Sequence, residues 1–234
     1  MITPPMDRTL TDQVVQQLRK KIILGQLPPG ERLTEARLSE QLEVSRSTVR
    51  EALRRLEAES LIETSSHRGA RVAFLTPEDA VQISEIHSML GVHAVRHLEL
   101  PISESLMQRL EQTSAEMHTL HFPEDVDRFI ELDNRFHHDI FAATGQRRVM
   151  QVWAGVSSLL GILVALSLRT FNVDGHEIAL RHDEIVEALS QPDVELAATS
   201  IVEHYRSNES RLQRLVLNGR LREGNGTNGR ADAN

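Results

Sequence analysis

The stretch from Val149 to Leu168 contains no charged residue over 20 consecutive positions. A run of this length and composition forms either a membrane-spanning helix or a helix buried on every side in a bundle. Arg148 and Arg169 flank the run, and polar residues such as Gln151 interrupt it. A membrane span would separate amphipathic helices that need a common core. We therefore predict a central buried helix and no membrane partner.

Charge and histidine content divide the 234-residue chain into two parts. Residues 1–75 carry 12 Lys and Arg against 10 Asp and Glu, although the whole chain has a net charge of −8. Ten of the 11 histidines lie beyond residue 75. Cysteine is absent, which excludes disulfides and Cys-based zinc sites and is compatible with the cytoplasm. We predict a head at 1–75, a body at 76–218 and a disordered tail at 219–234.

Apolar periodicity predicts a mainly α fold. In the head, helices near 9–24, 35–42 and 46–60 precede a β-hairpin formed by 61–64 and 70–75, the order of a winged helix-turn-helix. The body reads as an all-α bundle of about six helices, punctuated by Gly and Pro. These helices are predicted near 78–99, 103–120, 124–144, 146–171, 175–190 and 193–217.

The 46–60 helix has the two faces that a recognition helix requires. Its apolar residues fall on one side and its arginines largely on the other, where Arg can donate two hydrogen bonds to guanine. Hydroxyl groups at its start suit phosphate contacts. The alternative is a solvated helix whose arginines form local ion pairs. The residues predicted to contact DNA are Ser45, Arg46, Ser47, Thr48 and Arg50, with His67, Arg68 and Gly69 at the hairpin tip.

The segment LPPGERLTEARLSEQLEVSRSTVREALRRLEAESLIE, followed by HRGARV, resembles the DNA-binding domain of GntR-family repressors over about 65 residues. The resemblance implies that Arg46 and Arg50 contact operator bases or phosphates and that Gly69 lies at the wing tip. Family members often carry a further DNA-contacting arginine in the second helix. Ala36 stands at that position here, so the adjacent Arg37 is the candidate for this contact.

Four potential metal ligands lie on core-facing stripes of three body helices. Asp133 and His137 are one turn apart on the 124–144 helix, and His182 and His204 lie on the inward faces of the last two helices. A buried carboxylate needs a counter-charge, whereas a lone core histidine is satisfied by a hydrogen bond. Three imidazoles and one carboxylate suit a divalent transition metal. We predict a site that favours Zn²⁺ or Ni²⁺ and leaves Mn²⁺ and Fe²⁺ open.

The segments ELDNRFHHDIF, LRHDEIVEAL and AATSIVEHY resemble the FCD domain, the all-helical effector domain of FadR-type GntR regulators. The resemblance covers about 80–215, and six helices fit its shorter, VanR-like branch. It implies that the four predicted ligands hold a metal, that a small organic acid binds beside it, and that a homodimer changes its DNA-compatible spacing. The first domain helix often carries Arg and then Glu. His87 and Gly91 stand there, so His87 is a candidate effector contact.

Two other classes of protein remain as alternatives. The dipeptides His138-Asp139 and His182-Asp183 resemble those of helical metal-dependent hydrolases. However, the chain has no His-Glu-x-x-His motif, phosphate-binding glycine loop or nucleophile elbow, so we predict that it is not an enzyme. A DNA-binding protein without an effector would not need an inward Asp and histidines. The favoured prediction is a homodimeric regulator that binds a palindromic operator in double-stranded DNA and is controlled by a carboxylate effector.

Overall fold

The chain folds mainly into helices, with one small sheet near its N-terminus. The computed structural model describes residues 9–65, 69–171 and 173–217, so the predicted tail at 219–234 lies outside the described residues. The head contains α1 (Leu10–Ile23), β1 (Arg32–Leu33), α2 (Glu35–Gln41), α3 (Arg46–Ala58), β2 (Ile62–Ser65) and β3 (Gly69–Val72). The body contains α4 (Pro77–Val95), α5 (Glu104–Met117), α6 (Val126–Ala143), α7 (Arg147–Thr170), α8 (Gly175–Leu189) and α9 (Val194–Leu217). The predicted fold class is confirmed.

The α2–α3 connection is tight because its residues adopt specific local conformations. Glu43 lies in the left-handed region at φ 54°, which turns the chain sharply after α2. Ser45 then caps α3, and its Oγ accepts a hydrogen bond from the Thr48 backbone N–H at 3.1 Å. The inward face of α3 is buried as its spacing predicts, through Val49, Ala52, Leu53 and Leu56.

The sheet has three antiparallel strands in the order β1-β3-β2. The β2–β3 hairpin agrees with the prediction, and Ile62 pairs with Val72 in its register. The third strand, β1, was not predicted, and it pairs Arg32 with Arg71 across β3. Because β1 has only two residues, it is too short to show an alternating pattern, so only its tertiary pairing identifies it as a strand.

Helix α1 belongs to both parts of the chain. Leu18 and Ile22 lie in the head core, whereas Ile23 and the following Leu24 lie in the body core. The side chain of Ile23 contacts α7 at Gly161, where an added Cβ would lie 3.4 Å from Ile23 Cγ2. The head is therefore joined to the body by apolar packing on different sides of the last turn of one helix, and not by a linker alone.

The second half of α7 is largely buried, as its uncharged sequence predicts, but the prediction of a helix buried on every side is wrong for its first half. Among the described residues, α7 is the one helix long and apolar enough to cross a membrane. Its second half lies against the other helices and contributes Leu160, Leu163 and Leu168 to the body core. Its first half is more open, and Val152 is 54% exposed. Packing inside the bundle therefore accounts for the second half of α7 and only in part for its whole apolar length.

Helices α4 and α9 approach closely at Gly91. A Cβ placed on Gly91 would lie 2.6 Å from Ile201 Cγ2 and 3.3 Å from Tyr205 Cε2. Contacts this short require one of the helices to move, since neither atom lies at the end of a long flexible chain. Glycine at position 91 therefore sets the distance between the first and last helices of the body.

Replacing Gly91 with Ala is expected to lower the free energy of unfolding by about 1–3 kcal/mol, because overpacking forces the α4 and α9 backbones apart. Gly155→Ala in α7 is the matched control, since a Cβ there meets no described atom within 4 Å. The control is expected to raise stability by up to about 1 kcal/mol, the helix-propensity difference. Urea unfolding followed by circular dichroism measures both changes. Equal effects of the two substitutions would contradict the close α4–α9 contact.

Candidate metal centre and nucleic-acid interface

The structure brings the four predicted metal ligands together in the body. Asp133 and His137 come from α6, His182 from α8 and His204 from α9. One donor atom from each side chain lies within 4.8 Å of all the others. The three histidines are buried, and the Asp133 side chain is 18% exposed. Three separate helices thus aim one carboxylate and three imidazoles at a common point.

The hydrogen bonds of His182 leave two acceptors facing each other. Its Nδ1 donates to the Ile178 carbonyl at 3.0 Å, so in the neutral ring Nε2 carries a lone pair. That Nε2 lies 3.2 Å from Asp133 Oδ1, and His137 Nε2 lies 3.7 Å from the same oxygen. Two acceptors at this distance repel unless a cation, either a proton or a metal ion, lies with them. The Ile178 carbonyl also orients the ring as an outer partner of a metal site does.

The fourth ligand adds an unpaired buried nitrogen. His204 Nδ1 finds no hydrogen-bond partner among the described residues, although it is screened from solvent. An isolated buried polar atom is costly, and coordination of a metal would remove that cost. The donor set of three nitrogens and one oxygen therefore fits a divalent transition metal. Its chemistry does not select among Zn²⁺, Ni²⁺, Mn²⁺ and Fe²⁺.

The site is electrostatically prepared for a cation at neutral pH. Burial lowers the pKa of His137 to about 4, despite the opposing effect of Asp133. Burial and the neighbouring histidines also hold the pKa of His204 well below its ordinary value. Burial alone would raise the pKa of Asp133, but the His182 hydrogen bond and His137 lower it overall. The result is an ionised Asp133 carboxylate beside the neutral imidazoles of His137 and His204, the protonation state in which these groups bind metals.

The second group of predicted residues lies at the start of α3. Ser45 Oγ lies 2.8 Å from both Ser47 Oγ and Thr48 Oγ1, so the three hydroxyl groups form one cluster around the helix N-terminus. Backbone N–H groups and hydroxyls at such an end suit phosphate oxygens. Arg46 and Arg50 are exposed on the same helix, as predicted. The exposed end of α3 therefore combines hydroxyl groups that suit phosphate with arginines that suit base edges.

The remaining predicted DNA contacts have different positions. Arg37 donates to the carboxylate of Glu31 at 2.8 Å and to the Arg32 carbonyl at 3.1 Å, so its guanidinium is already engaged beside β1. Gly69 begins β3 at φ 73°, a conformation that favours glycine, and nothing lies within 4 Å of an added Cβ. His67 and Arg68 lie outside the described residues.

Comparison with known proteins agrees with this arrangement. The family model for bacterial regulatory proteins of the gntR family matches residues 10–72, and the FCD domain model matches residues 82–207. The chain belongs to the GntR family. Its head is the family's DNA-binding domain, and its body is an FCD domain.

Relatives of known name are repressors. The chain is 25% identical over 213 residues to the gluconate operon transcriptional repressor of Bacillus subtilis (strain 168), covering 89% of this chain and 87% of the relative. It is 27% identical over 199 residues to the probable D-xylose utilization operon transcriptional repressor of Paenarthrobacter nicotinovorans, covering 84% and 85%. Among solved structures, E. coli McbR/YncC shares the fold with a TM-score of 0.79 at 21% identity, covering 88% and 98%.

Neither of the two His-Asp dipeptides that suggested a hydrolase brings both of its side chains to the four predicted ligands of the FCD domain. The His138 side chain is 56% exposed, and Asp139 accepts from Arg109 Nε at 3.1 Å. Asp183 likewise faces away from the metal ligands, since its Oδ2 lies 2.7 Å from His118 Nε2. Only His182 of the two dipeptides reaches the cluster. The relatives and structural neighbours are transcription factors, so the prediction that the chain is not an enzyme is confirmed.

His87 lies inside the FCD domain in an uncharged form. Its ring is 1% exposed, and Nδ1 donates to the Ile83 carbonyl at 2.8 Å. Burial lowers its pKa, and Nε2 finds no partner within the described part of the chain. The ring therefore offers a hydrogen-bond acceptor where the family often has a cationic donor. The position one turn later, Gly91, has no room for a larger side chain because Ile201 fills the space.

Two arginines at the cluster were not predicted. Arg181 and Arg211 line a small cavity together with Asp133, His182 and His204. Arg181 Nη2 donates to Glu177 at 3.0 Å, but its buried Nε has no hydrogen-bond partner among the residues described. Burial and the nearby Arg181 lower the pKa of Arg211. Helical spacing contained the signal, because Arg211 lies two turns after His204 on the same face.

Metal-free protein is expected to lose stability as the pH falls from about 7 to 4. His137 has a folded-state pKa of about 4 against an ordinary value of 6.5, so the unfolded chain takes up the proton first and protonation favours unfolding. His204 acts in the same direction. Urea unfolding in the presence of a chelator, repeated across this pH range, measures the slope. His137→Gln is expected to flatten it, and His138→Gln, at an exposed position, to leave it unchanged. A flat wild-type profile would contradict the neutral buried state.

Proposed function

We propose that the chain is a cytoplasmic, homodimeric transcriptional repressor of the FadR-type group. Its affinity for a palindromic operator is set by a small carboxylate that binds beside a divalent metal. The observation that carries this proposal is the convergence of Asp133, His137, His182 and His204 in a body that shares helix α1 with a DNA-binding head. The repressor names of the gluconate and xylose relatives support the same reading.

Operator recognition rests on the exposed N-terminal end of α3. In a two-fold dimer, two such helices enter successive major grooves about 34 Å apart, and a palindromic site matches that symmetry. Ser45, Ser47 and Thr48 contact phosphates and fix the register of the helix. Arg46 and Arg50 read base edges. Arg37 and Gly69 complete the interface beside α3. Contacts of His67 and Arg68, which lie outside the described residues, stay a prediction from the sequence.

The effector site is the small cationic cavity lined by Asp133, His182 and His204, which has room for about one water molecule and must widen to admit an organic acid. A bound metal would supply a positive charge and an open position for a carboxylate oxygen. Arg181 and Arg211 add cationic groups on the cavity wall, and both suit a carboxylate. His87, the predicted effector contact, is buried on α4 and is not among the residues that line this cavity. The chemistry of the lining thus supports a small carboxylate.

Helix α6 connects this site to the head. It carries Asp133 and His137, and Glu131 of the same helix accepts from Lys20 Nζ of α1 at 2.7 Å. A shift of α6 on effector binding therefore changes contacts of a helix that also belongs to the DNA-binding core. The effector alters operator affinity only by its differential affinity for the two arrangements, typically about 1–3 kcal/mol.

Asp133→Ala is expected to abolish retention of the metal, because it removes the anionic ligand and leaves three neutral imidazoles. Metal analysis of dialysed protein, followed by titration with Zn²⁺ and Ni²⁺, measures the loss. Asp139→Ala is the matched control on the same helix and is expected to retain metal. In wild type, a panel of small carboxylates is expected to change operator affinity, and Asp133→Ala is expected to remove the response. If the wild type neither retains metal after dialysis nor takes it up in the titration, the sensor proposal is refuted.

Arg50→Ala is expected to lose about 1–3 kcal/mol of base discrimination, the usual worth of a bidentate arginine–guanine contact. Metal content is expected to stay unchanged, since α3 is remote from the ligand cluster in the chain's architecture. Arg109→Ala, in the body, serves as a control for loss of one positive charge. Competition of a selected duplex against random DNA measures the ratio. Equal binding of both duplexes by wild type would refute specific recognition.

A further inference from the structure

Arg50 is held by an acidic residue from the neighbouring helix. Its Nε and Nη2 donate to the two carboxylate oxygens of Glu35, each at 2.7 Å. Glu35 is the first residue of α2, so the contact spans the two helices of the helix-turn-helix at their exposed ends. The Arg50 side chain is 63% exposed and that of Glu35 is 33% exposed. The pair thus lies on the surface that faces DNA in the proposed function.

The geometry of the pair leaves one edge of the guanidinium open. A guanidinium can donate in parallel from its Nε–Nη2 edge or from its Nη1–Nη2 edge. Glu35 occupies the first edge of Arg50. The second edge is the one that donates to O6 and N7 of a guanine in the major groove. Adenine offers N7 but presents a donor at N6, so a fixed double donor distinguishes the two purines.

The Glu35–Arg50 ion pair contributes little to the stability of the fold. Exposed ion pairs contribute about 0–1 kcal/mol to stability, and a carboxylate on a DNA-binding surface repels phosphate. Other arginines nearby have different acceptors: Arg37 donates to Glu31, and Arg54 lies 3.8 Å from Glu51. Arg50 alone receives a two-oxygen contact from α2 among the described residues. An unbound arginine side chain carries considerable rotamer freedom, and this contact removes it before DNA arrives.

We propose that Glu35 is a positioning residue for sequence reading, which holds Arg50 so that its open edge selects one guanine in each operator half-site. The inference rests on the proposed function of operator binding through α3. Glu35 itself does not touch that guanine. The Glu35 carboxylate orients Arg50 and so increases discrimination between bases. The same negative charge weakens non-specific binding to the phosphates of any DNA.

The test begins with full-length wild type and a duplex library containing a randomised segment. The duplex that wild type enriches is then remade with each guanine replaced by adenine, and the dissociation constants of all versions are measured. The guanine whose replacement no longer matters in Arg50→Ala is the one that Arg50 reads. Wild type is expected to prefer guanine there by about 5- to 150-fold.

Glu35→Ala is expected to reduce this preference by at least about fivefold and to bind random duplex as tightly as wild type or more tightly. Glu35→Gln, which keeps one acceptor oxygen, is expected to lose less of the preference. Glu51→Ala is the matched control, because it removes an exposed acid of α3 that pairs with Arg54 and Arg55, and it is expected to keep the wild-type preference. Circular dichroism verifies folding of each variant.

Two results would overturn the proposal in distinguishable ways. If Glu35→Ala tightens binding to both duplexes and keeps the wild-type preference for guanine, the carboxylate only competes with phosphate and does not position Arg50. If Arg50→Ala keeps the preference at every guanine, Arg50 is not the reader. If wild type enriches no sequence at all, operator recognition itself fails and the proposed function falls with it.

Discussion

The body of this chain is organised around the cost of placing a carboxylate inside a helical bundle. Asp133 is ionised, largely enclosed and within hydrogen-bonding distance of an imidazole nitrogen whose other nitrogen is already committed. Such a carboxylate is stable only if cationic or donor groups converge on it. His182 of α8 and His204 of α9 meet Asp133 and His137 of α6 at one point and provide this convergence. Apolar packing of α4 on α9 at Gly91, and of α7 in the body core, holds the surrounding helices in place.

Helices α6 and α1 link the four predicted ligands of the body to the head. α6 carries two of the ligands and also pairs with α1 through Glu131 and Lys20, while α1 contributes to both cores. In the proposed function, a change at the ligands reaches α3 through the contacts of α6 with α1 and of α1 with the head core. In the head, the contact between Glu35 and Arg50 is already formed without DNA. Both ends of the molecule thus use an acidic residue to orient cationic or coordinating groups.

Periodicity predicted most of the fold and the four ligands, because inward-facing polar residues stand out on an apolar stripe. It missed β1, since two residues cannot show alternation and only the pairing of Arg32 with Arg71 defines that strand. It also missed Arg181, because the face of α8 that carries this residue has a polar pattern typical of a solvent-exposed surface. Only the tertiary structure places α9 beside it. The engagement of Arg37 by Glu31 was equally hidden, because ion pairs across a turn depend on where the side chains meet in space.

The sequence by itself determined that a winged head precedes a helical body, because local propensities and apolar spacing act within single elements. It also determined that Asp133, His137, His182 and His204 face inward, since that follows from helical spacing alone. Only the tertiary structure decided that these residues meet at one point, that α1 belongs to both cores, and that Glu35 accepts hydrogen bonds from Arg50. Those three facts depend on distances between separate elements, which are set by the packing of the whole chain and appear in no local pattern.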